Sequence, residues 1–208
     1  MEKRKRRGLF VTFEGGEGAG KTTLMRHLYD YLISKGRDAV RTQAPGATQV
    51  GACIRELLLK RYDLTTRTEL LLYLADRAQH VEEVILPALK GCRIVLCDRF
   101  NDSTFAYQGG GRCLDRDMLH AFCSFAANNL TPDLTLFLDL DPNVGLLRAK
   151  RSGTLDRFEE EELSFHQRVR QTFVSLSKEE PHRFYVIDAT QQFDHILEMA
   201  IQKIELLL

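Results

Sequence analysis

The chain has 208 residues, with 29 Lys plus Arg balanced by 29 Asp plus Glu, so its formal net charge at pH 7 is zero. With 44% apolar and 28% charged residues it has ordinary globular composition, which excludes a largely disordered chain and removes the simplest case for a dedicated nucleic-acid binder. A chain of this size buries about 70% of its unfolded surface, enough for one core without disulfides or structural metal.

The chain opens with the basic run Lys3-Arg4-Lys5-Arg6-Arg7, and the apolar stretch behind it ends at Glu14. That stretch is shorter than the roughly 7 to 15 apolar residues of a secretory core. Residues 1–8 therefore read as a flexible, solvated basic arm and residues 9–208 as one domain. A nuclear-localisation or nucleic-acid role for the arm is the minor alternative. No apolar run approaches the roughly 18 residues of a membrane span, so no membrane is expected as partner, and the zero net charge leaves no nucleic acid expected either. Cys53, Cys92, Cys97, Cys113 and Cys123 are odd in number and form no CxxC pair, and no His stands beside them at ligand spacing. They read as reduced thiols in a cytoplasmic protein.

Strands are predicted at residues 9–14, 38–43, 93–98, 134–140 and 184–188, each rich in β-branched or aromatic residues. Between them the apolar spacing is helical. Leu24, Leu28, Tyr31 and Leu32 share a face that Gly36 terminates, and Val50, Ile54, Leu57 and Leu58 form the next stripe. A strongly apolar helix is predicted from about Arg67 toward Lys90, with Pro87 as a break and Gly91 as its stop. Asp115 is an N-cap for a helix carrying Met118, Leu119, Phe122, Phe125 and Ala126. Asp141-Pro142 opens another helix. The last helix places Phe193, Leu197, Ala200, Ile201, Ile204 and Leu208 on one face. Alternating strands and helices imply an α/β fold: a five-stranded parallel sheet with helices on both faces, its ligands bound beyond the carboxyl ends of the strands.

Just beyond the first strand stands Gly15-Gly16-Glu17-Gly18-Ala19-Gly20-Lys21-Thr22, a full match to G-x-x-x-x-G-K-[ST] between a predicted strand and a predicted helix. The glycines let the backbone curl so that N–H groups point at phosphate oxygens, and the helix start adds its dipole. Lys21 would reach the β- and γ-phosphates and the Thr22 hydroxyl would ligate Mg²⁺. The third strand, Ile94-Val95-Leu96-Cys97-Asp98, ends in a carboxylate where the metal of such a site would lie. An N-K-x-D guanine reader is absent, which argues against a regulatory GTPase, and no convincing elements of a mechanical ATPase are present. A small phosphotransferase with a second, anionic acceptor site fits better.

The segment from Phe13 through Gly15 to Thr23 resembles the P-loop of thymidylate kinases. Leu72-Tyr73-Leu74-Ala75-Asp76-Arg77-Ala78-Gln79-His80 resembles their helix over the thymine. Asp98-Arg99-Phe100, Ser103 and Ala106-Tyr107-Gln108-Gly109 are similar to their DR[YFH]…S…AYQG signature. Residues 139–148 and 153–159 resemble their lid approach, and the likeness runs in order from about Leu9 to Thr190. The resemblance implies a P-loop fold with a mobile lid at about residues 148–160, phosphorylation of dTMP to dTDP with MgATP as donor, and a homodimer.

It also implies residue roles. Gly15, Gly16, Glu17, Gly18, Ala19, Gly20, Lys21, Thr22 and Thr23 would hold ATP, and Thr22 and Asp98 the Mg²⁺. Arg99 would clamp the acceptor monophosphate, although a surface Arg paired with a nearby acid reads the same in sequence. Tyr73 would stack on the base, whereas periodicity alone makes it core. Arg77, one turn later on the same face, would donate to a thymine carbonyl. Pro45, Ser103 and Gln108 would add contacts to the acceptor, and Tyr107 would lie against the deoxyribose. Glu17 would face the 3′-hydroxyl side; without the resemblance it is a solvent-facing loop acid.

Arg148, Lys150, Arg151 and Arg157 bracket Gly153, so the lid is basic, and Gly16-Glu17 leave the variable part of the P-loop without a basic residue. This pairing matches the bacterial-like type of the family, with Lys21, Arg99, Arg148 and Arg151 as catalytic candidates. Arg148 and Arg151 also suit a helix C-terminus for its dipole alone. Glu159-Glu160-Glu161-Glu162 reads as the acidic first turn of a helix. The loop Thr42-Gln43-Ala44-Pro45-Gly46-Ala47-Thr48 departs from the family's usual T-R-E-P-G-G-T at Gln43, Ala44 and Ala47. Two charges are lost there, and Ala47 would be strained if the loop required a positive φ. A kinase for another nucleoside or nucleoside monophosphate, or a non-catalytic nucleotide-binding protein, therefore stays as an alternative.

Overall fold

The computed structural model describes residues 7–60, 62–152 and 157–208, with the side chain of Ser152 left aside. Most of the basic run (residues 3–6) and Gly153, about which the expected lid cations are placed, lie outside the described residues. Five parallel strands, β1 (Phe10–Glu14), β2 (Ala39–Gln43), β3 (Ile94–Asp98), β4 (Leu134–Asp139) and β5 (Phe184–Asp188), form one sheet in the order β2-β3-β1-β4-β5. Each predicted strand is found within a residue of its expected ends. The short apolar runs bury both faces as the central strands β1, β3 and β4, while the edge strands β2 and β5 mix buried and exposed residues.

Side chains alternate across β1. Val11 and Phe13 pack with Leu24, Leu28 and Leu32 of α1 (Lys21–Ser34) and with Ile196, Ala200 and Ile204 of α9 (Phe193–Glu205). Phe10 points to the opposite face, with Val95, Cys97 and Phe100. Helices thus cover both faces. Helix α1 ends where Gly36 takes φ 72° and Arg37 N–H donates to Leu32 O at 3.0 Å, a glycine-terminated cap that satisfies the last carbonyls.

The helices in between differ from their sequence reading in register more than in existence. In α2 (Gln49–Leu59) Ile54 and Leu58 are buried, but Val50 is 50% and Leu57 43% exposed, because only one side of this helix meets α3. Helix α3 (Thr66–His80) starts on a Thr65 cap and is not broken at Pro87. A π-helical turn at Val81–Ile85 leads into α4 (Leu86–Lys90), so the proline, which lacks an N–H, enters at the first turn of α4 and the axis runs on. In α6 (Arg116–Ala126) Asp115 caps as expected, accepting from Met118 N–H at 2.8 Å. Leu119, Cys123 and Ala126 face inward, leaving Phe125 88% and Phe122 43% exposed. In α9 the buried line is Ile196, Ala200 and Ile204, with Phe193, Leu197 and Ile201 flanking it, while Leu208 lies beyond the helix end and is exposed.

A short helix α5 (Asn101–Thr104) runs into a second π-helical stretch, Phe105–Gly111, which packs against α8 (Leu163–Glu179). The approach is close: a Cβ on Gly110 would lie 2.1 Å from Thr172 Oγ1. Asp102, 3% exposed at its side chain, anchors this segment by a bidentate pair with Arg183 at 2.7 and 2.8 Å, beside Thr135. Helix α7 (Pro142–Ser152) follows β4. All five cysteines are free thiols. No helix among the described residues is long and apolar enough to cross a membrane.

Candidate active site

The loop between β1 and α1 takes positive φ at Gly15 (141°), Gly18 (65°) and Gly20 (93°). Gly20 occupies the cap of α1 with no side-chain hydrogen bond there, so the N–H groups that open this helix face outward as an anion cradle. Lys21 is 7% exposed and folds back over the loop, its Nζ donating to Gly16 O at 2.7 Å and Gly15 O at 3.1 Å. Burial, with Arg99 adding to it, lowers the pKa of this ammonium. Thr22 Oγ1 donates to Asp98 Oδ2 at 2.6 Å, so the hydroxyl and the carboxylate at the end of β3 stand side by side. Two hard oxygen donors in contact suit Mg²⁺, which takes the rest of its octahedron from phosphate and water. Among the described residues no group of three His, Cys, Asp or Glu forms a closed metal cage.

Arg99 follows directly, at φ 68°, a left-handed conformation that costs a non-glycine residue about 1–3 kcal/mol. Its N–H donates to Phe13 O at 3.0 Å and the next N–H, of Phe100, to Glu14 Oε1 at 2.7 Å, and these bonds hold the turn. The guanidinium donates to Gly15 O (3.0 Å), Ser103 Oγ (3.1 Å) and Glu17 Oε1 (2.9 Å), and lies 4.9 Å from the Tyr107 ring centroid. Tyr107 Oη donates to the same Glu17 oxygen at 2.6 Å. Burial alone would raise the Glu17 carboxyl, but Arg99 and Lys21 outweigh it and hold the pKa at about 2. Glu17 is therefore an ionised partner of two cations, not a solvent-facing loop acid.

Glu14, fully buried at the end of β1, behaves in the opposite sense. Burial, with Asp102 adding to it, pushes its carboxyl up to about 7, against the lowering by the Ser103 hydroxyl. Its pKa in the fold lies above the ordinary 4.5, so the proton it binds stabilises the fold fully below about 4.5. That contribution is lost as pH rises toward 7. Replacing Glu14 by Gln removes this dependence. The stability difference between variant and parent should shift in the variant's favour by up to about 3 kcal/mol between pH 4.5 and pH 8. Urea denaturation at both pH values measures it, and a pH-independent difference would contradict the assignment.

One cavity of about 580 Å³ runs from this loop to α3. Glu17, Gly18, Ala19, Gly20, Lys21, Thr22 and Thr23 line one end, with Asp98, Arg99, Ser103, Tyr107 and Gln108 beside them. Pro45, Tyr73 and Arg77 line the other end, and Arg148 enters from α7. Gly15 and Gly16 do not line this cavity; their carbonyls are taken by Lys21 and Arg99. Arg151 is also absent from the lining, being exposed on α7. Arg148 Nη1 donates to Ala189 O at 3.1 Å, and Arg157 turns inward to Leu58 O and Glu69. Tyr73 is half-buried, its ring 6.2 Å from that of Phe158. Arg77 is 3% exposed, lies 4.4 Å over the Phe100 ring, and leaves Nη1 buried without a hydrogen-bond partner in the protein.

In the altered loop after β2, the Ala44–Pro45 peptide is cis and Gly46 takes φ 109°. Ala47 has no positive φ, so the strain expected at that position does not arise. Gly46 N–H donates to Asp76 Oδ1 at 2.9 Å and Arg55 Nη1 to Pro45 O at 2.9 Å. Gln43 and Ala44 line the cavity where the family pattern carries charges. Sequence reasoning did not single out Arg55, Glu69, Arg112 or Phe158. Arg55, Glu69 and Arg112 sit in no motif and Phe158 only in the stretch that resembles the lid approach, and only folding brings them to the cavity or to the residues that line it; beyond that stretch, the helical spacing of Glu69 to Tyr73 and Arg77 was the available signal.

Comparison with known proteins gives a consistent picture. The family model described as Thymidylate kinase matches residues 13–200. The thymidylate kinase of Protochlamydia amoebophila is 47% identical over 215 aligned positions, covering 99% of this chain and 96% of that protein. The one from Desulfovibrio desulfuricans is 49% identical over 206, covering 95% of each. The crystal structure of thymidylate kinase from Ehrlichia chaffeensis superposes with a TM-score of 0.79 at 32% identity, covering 96% of this chain and 99% of that one.

Proposed function

The chain belongs to the thymidylate kinase family, an ATP-dependent phosphotransferase acting on dTMP, and on that premise we propose how its residues divide the work. The cavity that joins the phosphate cradle to Arg99, Tyr73 and Arg77 is the observation that carries the reading. Glu17 to Thr23 hold the triphosphate of ATP through backbone N–H groups, with Gly15 and Gly16 shaping the turn behind them. Lys21, resting on the loop carbonyls, turns to the β- and γ-phosphates. Thr22 and Asp98 would hold Mg²⁺, which neutralises charge on the phosphates when bound.

Arg99 clamps the acceptor phosphate, and its fork is already oriented by Gly15, Ser103 and Glu17. Tyr73 stacks on the thymine ring, Pro45 and Ser103 border it, and Arg77 spends its unpartnered Nη1 on a ring carbonyl. Tyr107, held by Glu17, bounds the sugar on the side of a 2′-hydroxyl. Phosphoryl transfer then needs no covalent intermediate: positioning and cationic stabilisation of a loose transition state suffice.

Residues 148–160 act as the lid of a domain spanning residues 9–208, with residues 1–8 as a basic arm. Arg148 at the cavity wall and a P-loop whose variable positions carry no basic residue support the type with a basic lid. Arg148 is the better candidate for the γ-phosphate, since Arg151 stands outside the cavity. Leu71 at 53%, Phe122 at 43% and Phe125 at 88% exposure lie on α3 and α6, which pack together, and this apolar surface supports a homodimer. A cytoplasmic location and no membrane or nucleic-acid partner complete the reading.

Coupled ADP release with MgATP against dTMP, dUMP, UMP, dCMP and thymidine tests the reading. Turnover is expected to be fastest with dTMP. Preferred phosphorylation of thymidine would overturn the monophosphate site. Silence across the panel despite ATP binding would mean that Gln43 and Ala44 have converted the protein to a nucleotide sensor.

A further inference from the structure

We infer that Glu69 sets the preference of the acceptor pocket for a thymine or uracil ring over a cytosine ring, by holding the Gln108 amide in one orientation; this rests on the acceptor-site reading above. Glu69 lies in the first turn of α3, one helical turn before Tyr73 and two before Arg77, and is 1% exposed. A buried carboxylate is costly unless its oxygens are filled. Here they are filled from three side chains. Gln108 Nε2 donates to Oε1 at 3.0 Å, Arg112 donates through Nε and Nη2 at 3.3 Å each, and Arg157 Nη2 donates to Oε2 at 2.7 Å.

The bond from Gln108 has a consequence for the cavity. A carboxylate facing two guanidiniums accepts hydrogen bonds and donates none. The NH₂ end of the Gln108 amide is therefore committed to Glu69, and the carbonyl Oε1 becomes the other end of a side chain that lines the cavity. No hydrogen bond from a described residue reaches that oxygen. Arg77, lining the same cavity, has only donors, one of them buried and unpartnered. The pocket thus offers one fixed donor and one fixed acceptor.

A thymine or uracil ring presents the complement, a carbonyl at position 4 and an N–H at position 3. Cytosine presents the reverse, an amino group and a bare nitrogen, so donor would meet donor and acceptor would meet acceptor. A glutamine free to flip could serve either ring. One pinned by Glu69 serves only the first, so Glu69 is a positioning residue for specificity that need not touch the base. Arg157, drawn to the same carboxylate from the segment after residue 156, ties this element to the lid side of the cavity.

The experiment measures kcat and KM for dTMP and dCMP in the parent, Glu69→Gln, Gln108→Leu and the double variant. Glu69→Gln, whose own amide can present a donor to Gln108, should lower the dTMP-to-dCMP ratio of kcat/KM by roughly 10- to 100-fold, chiefly through KM. In the Gln108→Leu background the same change should move that ratio by less than about threefold. An unchanged ratio with lower kcat or melting temperature, or an equal effect without Gln108, would overturn the inference. If Glu69→Gln fails to fold, Glu69→Asp keeps the charge while withdrawing the carboxylate, and the ratio should fall in the same direction; an unchanged ratio there is equally fatal. A parent enzyme with no preference for dTMP over dCMP would instead strike the acceptor-site reading itself.

Discussion

Replacement of Arg99 by alanine is expected to lower kcat/KM for dTMP by about 10³-fold, with most of the loss in kcat. The size follows from preorganisation. The guanidinium is half-buried, lies over Tyr107, and is held by Gly15 O, Ser103 Oγ and Glu17 Oε1. In the proposed role it would meet the transferring phosphoryl group without reorganising, in a cleft where charge is less screened than in water. Removing it also leaves Glu17, now held at about 2, with Lys21 as its main remaining cation, so the loop electrostatics change together with the clamp. Arg99→Lys should recover little, because a single ammonium cannot span three acceptors and a phosphate. Steady-state kinetics with MgATP and dTMP, with melting temperature as the folding control, decide it. A loss of less than tenfold, or one confined to KM, would reduce Arg99 to a ground-state contact.

Gly18→Ala should be the other severe change, costing at least 10²-fold in turnover although a single methyl group is added. Gly18 sits at φ 65°, and a Cβ there would lie 2.1 Å from Gly145 O and 3.1 Å from Arg148 Cβ. The nearest atom is a backbone carbonyl in α7 rather than the free end of a flexible side chain, so the loop is expected to leave its cradle shape. Gly91→Ala is the matched control. It stands outside the site at φ −76°, and its nearest contacts are 3.4 Å away. Kinetics and thermal denaturation of the two variants, side by side, test the contrast. Full activity in Gly18→Ala would show that the loop adapts and that its close packing on α7 has no bearing on phosphate binding.

Much of the fold could be read from local pattern. The strands were legible because each is a short run rich in β-branched or aromatic residues, three of the five ending in Asp, a signal contained within a few consecutive residues. The G-x-x-x-x-G-K-T loop was legible because positive φ, helix start and cation are all encoded in eight consecutive residues. Helix faces were less legible. Phe122 and Phe125 satisfy the spacing of a core stripe in α6, yet Leu119, Cys123 and Ala126 took that position, since periodicity does not say which of two apolar faces meets the neighbouring helices. Pro87 read as a break because the chain alone does not show that a π-helical turn will deliver it to the first turn of α4.

The same division runs through the site. By itself the sequence determined the parallel α/β class, the phosphate cradle, Asp98 beside it and the family to which the chain belongs. Each of these is carried by neighbours along the chain or by motifs in fixed order. Only the tertiary structure decided that Glu17 is ionised between Arg99 and Lys21, that Glu14 holds its proton to about 7, and that Arg148 but not Arg151 borders the cavity. It alone brought Glu69 to Gln108, Arg112 and Arg157, whose separations along the chain run from 39 to 88 residues. Charge, burial and hydrogen bonding depend on what lies nearby in space, and that is settled only once α3, the π-helical stretch at Phe105–Gly111 and the segment after residue 156 have packed around one carboxylate.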